Sequence, residues 1–336
     1  MEKNQQQDII KLIDNIKVGN SKISLLENNI LLLPINIKPA AITIILQKNP
    51  SLELDYQEII KKCETILSKK LPAKKINIIL TAHDKNDRKL KNIDKIILVA
   101  SGKGGVGKST ITANLAYVAA QSGLRIGIID ADIYGPSIHH LFDIKSDKPS
   151  LSDDKKIIPP MKYGIKIMSI GSMVEEGKAI IWRGPMLGKA LNNLFYGTDW
   201  QELDILFVDM PPGTGDTYIT MAKNFPIHSS IIVSTPQKLA LIDVERSVDI
   251  FTKTNIKITG IIENMAYLTD DNGKTKNYIF GSGNVEQFSK ENNIEYLGCL
   301  PIEAKLSANS DHGKFSIEDN KTAYQLCKNI LNKFNH

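Results

Sequence analysis

The sequence predicts an α/β fold with a mostly parallel sheet covered by helices on both faces, preceded by a small α+β domain. Two patterns predict the sheet. From Lys95 onward, apolar runs of strand length alternate with helical segments, and several of those runs are continuously apolar. A third pattern, a glycine-rich loop between the first of these strands and a helix, is typical of the same class. At 336 residues the chain is long enough for both domains.

The first 83 residues predict the small domain. Its elements follow one another as a helix near 6–16, strands at 30–37 and 41–47, a helix over 54–71 and a strand at 76–81. Residues 84–94 have the charged, polar character of a linker. The second domain therefore occupies 95–336.

The second domain alternates strands and helices. Its candidate strands are 95–100, 125–130, 165–170, 205–210, 230–235, 258–263 and 296–300. A helix over 111–121 follows the first of them, and a last helix covers 322–335. Open parallel sheets bind ligands beyond the carboxyl ends of their strands. Because the polar motifs follow those ends, we expect them to form one site.

The segment SGKGGVGKST at 101–110 matches the phosphate-loop pattern Gly-x-x-x-x-Gly-Lys-Ser. Glycines let bare backbone approach anionic oxygens, and the N–H groups then wrap around the phosphates of a nucleotide. Lys108 is the side chain that reaches the β and γ phosphates. The predicted nucleotide-binding residues are Gly102, Lys103, Gly104, Gly105, Val106, Gly107, Lys108, Ser109 and Thr110.

Three aspartates that end predicted strands are candidates for metal and water chemistry. Asp130 and Asp132 share a face while the chain stays extended, so one can serve Mg²⁺ and the other the attacking water. Without further context, such a pair is more often a turn or a helix cap. Asp209 ends an apolar run, and such an aspartate holds Mg²⁺ opposite the hydroxyl of Ser109.

The segment Pro-Pro-Gly-Thr-Gly at 211–215 is a candidate switch, because its glycine amides can follow a γ-phosphate and release after hydrolysis. A plain strand-to-helix turn is the alternative. The guanine-reading motif Asn-Lys-x-Asp is absent from the sequence, since Asn320-Lys321 continues as Thr322-Ala323. This absence argues against GTP.

Composition excludes several classes of partner. The net charge of +5 is small for this length and the lysines are dispersed, so we expect neither nucleic acid nor membrane binding. No apolar run approaches the ~20 residues that span a bilayer. The start is unlike a signal or transit peptide, which predicts a cytoplasmic protein. Cys63, Cys299 and Cys327 are too few and scattered for a disulfide scaffold, and we expect them in the core.

The order and spacing of six segments resemble the Mrp/ApbC family of iron–sulfur cluster carrier ATPases, which are related to the MinD and ParA proteins. The segments are SGKGGVGKST at 101–110, DADIYGPS at 130–137, WRGPM at 182–186, DMPPGTGD at 209–216, ENM at 263–265 and IFG at 279–281. The resemblance covers about residues 95–310. The layout of residues 1–83 is similar to the small iron–sulfur-assembly domain found in many members.

The resemblance implies a P-loop NTPase fold and several roles. In the deviant-Walker class, the lysine at the position of Lys103 reaches the partner subunit's nucleotide in a homodimer. The asparagine of the ENM motif contacts adenine, which makes Asn264 the candidate base contact and ATP the nucleotide. Asp132 is assigned to positioning water and Asp130 to the outer shell of Mg²⁺. The partners implied are apo iron–sulfur client proteins or an assembly scaffold, and the cargo is a [4Fe–4S] cluster.

One segment departs from the family pattern. Members that carry a cluster usually have Cys-x-x-Cys between the ENM and IFG motifs, so that two subunits supply four thiolates. Residues 266–278 contain neither cysteine nor histidine. The ATPase assignment is unaffected by this departure, whereas the cluster ligands are left unassigned.

Two other functions are compatible with the same scaffold. A MinD/ParA-like positioning switch would use its last helix on a membrane, although the apolar spacing of 322–335 favours a helix packed on its own domain. An ATP-dependent amidase or ligase would need a charged substrate pocket, for which Arg183 and His139-His140 are the available residues.

Overall fold

The computed structural model describes residues 2–18, 21–26, 28, 30–37, 40–47, 54–81, 90, 92–132, 135–144, 149–154, 156–169, 171, 184–270, 275–317 and 321–334. The chain divides into two compact units, an N-terminal unit Met1–Arg88 and a C-terminal unit Lys89–His336. Each unit has its own apolar core.

The N-terminal unit contains two helices and five strands among its described residues. In chain order they are α1 Glu2–Ile13, β1 Asn15–Val18, β2 Ser21–Ser24, β3 Leu31–Ile37, β4 Ala41–Gln47, α2 Tyr56–Lys70 and β5 Lys75–Thr81. Strands β3, β4 and β5 form a sheet in which β4 pairs antiparallel with β3 and parallel with β5. Ile42, Ile44 and Leu46 alternate along β4 and are buried in the same core as the apolar residues of α1 and α2.

The hairpin of β1 and β2 was not predicted, because strands of only four residues are too short to give a reliable periodic signal. Asp14 ends the first helix earlier than the predicted 16, since its carboxylate accepts hydrogen bonds from Leu26 N at 2.7 Å and Ser24 Oγ at 3.0 Å. Most of the predicted linker, 84–94, lies outside the described residues, but Ile93 and Asp94 already belong to the next strand.

The long strands of the C-terminal unit mostly alternate with helices, and short strands lie between some of them. Its strands are β6 Ile93–Ala100, β7 Ile126–Asp130, β8 Ser150–Leu151, β9 Ile157–Ile158, β10 Met161–Lys162, β11 Ile165–Ser169, β12 Leu203–Asp209, β13 Ser229–Ser234, β14 Ile258–Glu263, β15 Leu268–Thr269, β16 Lys276–Asn277 and β17 Tyr296–Cys299. Its helices are α3 Lys108–Gln121, α4 Ile138–Leu141, α5 Gly184–Tyr196, α6 Asp216–Asn224, α7 Lys238–Lys253, α8 Asn284–Glu291, α9 Ala304–Asp311 and α10 Lys321–Asn332. The seven predicted strands are all present, with ends within two residues of the prediction.

Eight strands form one sheet in the order β10-β11-β7-β12-β6-β13-β14-β17. Among the strand pairs of this sheet, only β10 with β11 is antiparallel, which confirms the mostly parallel sheet. Strand β6 shows how both faces are covered: Ile96 and Leu98 pack in the core with α5 to α8, whereas Ile97 and Val99 pack in the core with α3 and α10. The carboxyl ends of β6, β7 and β12 are neighbours, so their terminal side chains share one edge.

Helix α10 packs on its own unit. Its Ala323, Cys327, Ile330 and Leu331 are buried in the core that also contains the apolar residues of α3. This packing confirms the preferred prediction for the last helix, because the face that a membrane would need is already covered. Among the residues that the structure describes, none of the helices has the length and hydropathy that a bilayer crossing requires.

The central strand β12 generates a stability prediction. Phe207 is fully buried, and we expect Phe207→Ala to lower the free energy of unfolding by about 3–5 kcal/mol, because the cavity adds to the lost burial. Urea unfolding followed by tryptophan fluorescence measures this unit, since both tryptophans, Trp182 and Trp200, lie in it. Lys253→Ala, at an exposed position, is the control and should change stability by less than about 0.5 kcal/mol. Equal unfolding midpoints for the two variants would contradict the burial of Phe207.

Candidate functional site

The glycine-rich loop lies between β6 and α3, as predicted. Gly105 and Gly107 have φ of +79° and +85°, which side chains with a Cβ rarely adopt. Gly102 serves packing, because a Cβ there would lie 2.4 Å from the backbone of Asp243 and Val244 in α7. Val106 is buried in the core.

The other predicted loop residues line a cleft of about 250 Å³. Residues from the ends of β7 and β12 complete its wall. The lining consists of Ser101, Lys103, Gly104, Gly105, Gly107, Lys108, Ser109, Thr110, Asp132, Gly135, Ser137 and Pro212. The sheet edge thus brings together the phosphate loop and the segments that follow two neighbouring strands, as expected for a parallel sheet.

Asp209 connects β12 to the start of α3 through both carboxylate oxygens. Its Oδ1 lies 2.8 Å from Lys108 Nζ and accepts a hydrogen bond from Thr112 Oγ1 at 2.9 Å. Its Oδ2 accepts a hydrogen bond from Ser109 Oγ at 2.5 Å. Lys108 is 6% exposed and Asp209 is not exposed, so the ion pair is buried. Sequence reasoning missed Thr112, although its position one helical turn after Ser109 places both hydroxyls on one face.

Ser109 and Asp209 fit a magnesium ion chemically. A hydroxyl and a carboxylate are the hard oxygen donors that Mg²⁺ prefers, and the phosphates of a nucleotide would complete the set. Ser109 Oγ and Asp209 Oδ2 lie 2.5 Å apart at the start of α3, with Ser109 in the cleft lining and Asp209 buried beside it. These residues would hold Mg²⁺ beside a nucleotide.

Asp130 organises the loop that follows β7. Its Oδ2 accepts hydrogen bonds at 3.0 Å from Ser137 N, Ile138 N and Ser169 Oγ. Burial, and next the charge of Asp209, raise the pKa of Asp130 to about 7, while the hydrogen bond from Ile138 N, the charge of Lys108 and the hydrogen bond from Ser169 Oγ act in the opposite direction. The contacts are those of a loop-capping aspartate, and its outer-shell role toward Mg²⁺ stays a prediction.

Asp132 is only 9% exposed and faces the cleft. Its Oδ1 accepts a hydrogen bond from Gly135 N at 3.2 Å, and its own N–H donates to Asp130 at 3.2 Å. The two carboxylates therefore have different surroundings. Asp130 is bonded inside the loop that follows β7, and Asp132 lies on the wall of the cleft. Ile133 and Tyr134, the two residues between Asp132 and Gly135, lie outside the described residues.

Asn264 holds the phosphate loop. Its Nδ2 donates to Val106 O at 2.9 Å, and it lies so close to Gly107 that a Cβ there would be 2.2 Å from Nδ2. The side chain is 5% exposed and is not among the described residues that line the cleft. The predicted adenine contact stays a prediction, whereas support of the loop is the contact that the geometry provides.

Lys103 and Pro212 of the predicted switch line the same cleft as Ser101. The Lys103 side chain is exposed at the cleft, and none of the ion pairs among the described residues involves it. Ser101 O accepts hydrogen bonds from Gly213 N at 3.1 Å and Tyr218 Oη at 3.4 Å. Segment 211–215 is thereby connected to the start of the loop. Tyr218 carries no motif signal and was not predicted.

The cysteines occupy two environments. Cys63 and Cys327 are buried as predicted, and burial raises the pKa of both thiols to about 12. Cys299 is only partly buried, which differs from the prediction, because β17 is the edge strand of the sheet and has a neighbour on one side only. Within the described ranges, no group of three or more His, Cys, Asp or Glu side chains is arranged to hold a metal ion.

Of the remaining candidate substrate residues, only His139 and His140 lie within the described residues. The rings of His139 and His140 are in contact, with centroids 4.0 Å apart and planes tilted by 43°, and His139 Nδ1 lies 3.4 Å from Ser169 Oγ. Arg183 and Trp182 of the WRGPM segment lie outside the described residues. The amidase or ligase alternative stays a prediction, because Arg183 cannot be placed relative to the two histidines.

A family model described as ParA, NUBPL iron-transfer P-loop NTPase, matches residues 92–335. The chain belongs to this family. The match confirms the resemblance found from the motifs, and it covers the C-terminal unit that contains the phosphate loop. An iron–sulfur cluster carrier protein of Aquifex aeolicus (strain VF5) is 46% identical over 228 residues, which are 68% of this chain and 63% of the relative. The chain thus spans less than two thirds of that protein's length.

Two solved structures with nucleotide-binding or ATPase names are similar to this chain. A nucleotide-binding protein from Archaeoglobus fulgidus, solved in complex with ADP, is 36% identical with a TM-score of 0.61 and covers 69% of this chain and 91% of its own. The cell division ATPase MinD from Pyrococcus furiosus, 18% identical, has a TM-score of 0.52 over 71% of this chain and 99% of its own. The second likeness concerns the fold alone and confirms the predicted fold class.

The buried ion pair generates a prediction on stability. Lys108→Met leaves the Asp209 carboxylate buried without its ammonium partner, so we expect the free energy of unfolding to fall by about 3–5 kcal/mol. Adding Asp209→Asn removes the uncompensated charge and should recover part of that loss. Urea unfolding followed by tryptophan fluorescence measures both, with the exposed Lys189→Met as the control. Strictly additive effects of the two substitutions would be inconsistent with the pair.

Asn264 generates a prediction that separates loop support from base contact. Asn264→Ala leaves Val106 O without its donor, which typically costs about 1–3 kcal/mol, and frees the loop. We expect the dissociation constants of Mg·ATP and Mg·GTP to rise by the same factor in calorimetric titrations. Asn329→Ala, on the exposed face of α10, should leave both unchanged. A loss of affinity for ATP alone would instead assign Asn264 to the adenine.

Proposed function

We propose that this chain is an ATP-binding and ATP-hydrolysing iron–sulfur cluster carrier that delivers clusters to apo-proteins as a homodimer. Membership of the iron-transfer P-loop NTPase family supports the proposal, as does the name of the Aquifex relative. The observation that carries it is the contact of Asp209 with Lys108 and Ser109 where the glycine loop enters α3. This arrangement is suited to binding a nucleoside triphosphate with Mg²⁺.

In this proposal the loop amides and Lys108 bind the phosphates of ATP. Ser109 and Asp209 hold Mg²⁺, which when bound supplies positive charge to the phosphate oxygens. Asp132 orients the attacking water from the cleft wall, and Asp130 keeps that wall in place through its hydrogen bonds to the loop. Segment 211–215 responds to the γ-phosphate, since Gly213 already contacts the start of the loop.

Lys103 of one protomer enters the nucleotide site of its partner. Its exposed side chain at the rim of the cleft supports this role, because a second copy can approach that rim. A cation delivered in this way stabilises the charge that develops on the transferred phosphoryl group. Hydrolysis therefore depends on dimer formation.

The cluster is cargo in this proposal, and at least some of its thiolate ligands come from the client protein or assembly scaffold. Cys63 and Cys327 are poor ligands, since the thiolate binds iron and burial raises the pKa of both thiols to about 12. The described part of the 266–278 segment also offers no thiol. A client protein or assembly scaffold supplies the missing ligands, and residues 1–83 act as an iron–sulfur-assembly-like domain.

A homodimer with shared sites makes a complementation prediction. We expect Lys103→Ala to bind Mg·ATP but not hydrolyse it, and Lys108→Ala to weaken both binding and hydrolysis. Mixing Lys103→Ala with Asp132→Asn should restore about a quarter of wild-type hydrolysis, because random association makes half the dimers hybrids with one complete site each. Phosphate release measures the rate, and Lys189→Ala is the control lysine. An inactive mixture would rule out the cross-dimer role of Lys103.

Cluster delivery makes a second prediction. We expect the wild-type protein with Mg·ATP to accelerate assembly of a [4Fe–4S] cluster in an apo-ferredoxin under anaerobic conditions, whereas Asp132→Asn with Mg·ATP should not. Absorbance of the ferredoxin cluster follows the transfer. Cys299→Ser should transfer the cluster as fast as the wild type, because in this proposal the client protein or scaffold supplies the missing cluster ligands. Absence of acceleration by the wild type, together with no cluster uptake by the chain itself, would overturn the carrier function.

A further inference from the structure

The edge strand β17 carries a bulge where it pairs with β14. Tyr296 lies opposite Ile261, whereas Gly298 lies opposite Ile262, so Leu297 is the extra residue. Gly298 has a φ of +123°, which a residue with a Cβ rarely adopts. Bulges of this kind bend a strand and redirect the neighbouring side chains.

The bulge directs the Tyr296 side chain toward the end of β14. Its hydroxyl donates a hydrogen bond to Glu263 Oε2 at 2.5 Å, although Glu263 lies two residues beyond the register partner of Tyr296. Gly260 allows the approach, because a Cβ there would lie 2.5 Å from Leu297 Cγ. The contact is therefore built into both strands.

Glu263 depends on this hydrogen bond because its side chain is buried. It is 5% exposed, and a buried carboxyl group without a partner is costly. Burial, followed by the hydrogen bond to Glu263, raises the pKa of Tyr296, so the hydroxyl keeps its proton and remains a donor. The pair is satisfied only while β14 and β17 keep this arrangement.

The residue after Glu263 contacts the phosphate loop directly. Asn264 N donates to Ser234 O at 2.8 Å, and Asn264 Nδ2 donates to Val106 O at 2.9 Å. The backbone of Glu263 is also anchored, since its carbonyl accepts a hydrogen bond from Leu300 N at 2.8 Å. A displacement of the β14 end would therefore move Asn264 relative to the loop.

We infer that Tyr296 and Glu263 form a positioning pair that holds the end of β14, and with it Asn264, against the phosphate loop and thereby sets nucleotide affinity. The inference rests on the nucleotide site of the proposed function. Neither residue lines the cleft among the described residues, so the pair acts through Asn264. It connects the outermost strand of the sheet to a loop two strands away from β14.

Calorimetric titration with Mg·ATP tests the pair. We expect Tyr296→Phe to raise the dissociation constant about tenfold, or about 1.4 kcal/mol, with the stoichiometry unchanged. Glu263→Gln retains an acceptor oxygen for the hydroxyl and should bind almost as wild type, whereas Glu263→Ala should bind as weakly as Tyr296→Phe. Tyr278→Phe, at a tyrosine that is 49% exposed, is the matched control and should not change binding.

The stoichiometry and the dissociation constant together distinguish a positioning role from a merely structural one. A structural effect lowers the binding-competent fraction and the unfolding midpoint but leaves the dissociation constant unchanged, and that result overturns the inference. The double variant Tyr296→Phe with Glu263→Ala should bind no more weakly than either single variant, because both remove one interaction. If Tyr296→Phe fails to fold, the dissociation constants of Glu263→Gln and Glu263→Ala for Mg·ATP are compared instead. Equal affinities of these two variants overturn the inference. A wild type that does not bind Mg·ATP overturns the proposed function itself.

Discussion

A buried carboxylate, that of Asp209, is the group on which the rest of the site depends. Removing a carboxylate from water is costly, and the chain compensates it with one ammonium and two hydroxyls, from Lys108, Ser109 and Thr112. All three belong to the first turns of α3, whereas Asp209 ends β12. The compensation therefore works only when helix and strand meet at the carboxyl edge of the sheet, and this requirement links folding of the sheet to formation of the phosphate site.

The loop is supported from two further directions. On one side, α7 approaches so closely that only glycine fits at position 102. On the other, Asn264 donates to Val106 O and contacts Gly107. Backbone amides bind phosphate well when they are preorganised, because no ordering cost then remains to be met on binding. The contacts of Gly102, Val106 and Gly107 provide that order.

The nucleotide chemistry and the cargo chemistry are distributed differently over the chain. Phosphate-binding groups converge in one cleft, whereas two of the three thiols are buried in separate cores. Burial disfavours the thiolate and blocks access to iron, so Cys63 and Cys327 belong to packing. Cys299, which is only partly buried, is the one thiol among the described cysteines that is not enclosed in a core.

The sequence alone determined the elements and groups whose signals are local. Continuous apolar runs located the buried strands, and the fixed spacing of a motif identified Lys108 and Ser109, because the loop that binds phosphate is made of consecutive residues. Only the tertiary structure decided which distant groups meet. The motifs placed Asp209 opposite Ser109, but they did not predict its contact with Thr112, which is 97 residues away, or the contact of Asn264 with Val106, which is 158 away. The same holds for the bond of Tyr296 to Glu263 and for the loop-capping contacts of Asp130. Hydrogen bonds and ion pairs depend on separations of a few ångströms, which strand order, a bulge and the burial of each group set, and no local pattern of residues encodes them.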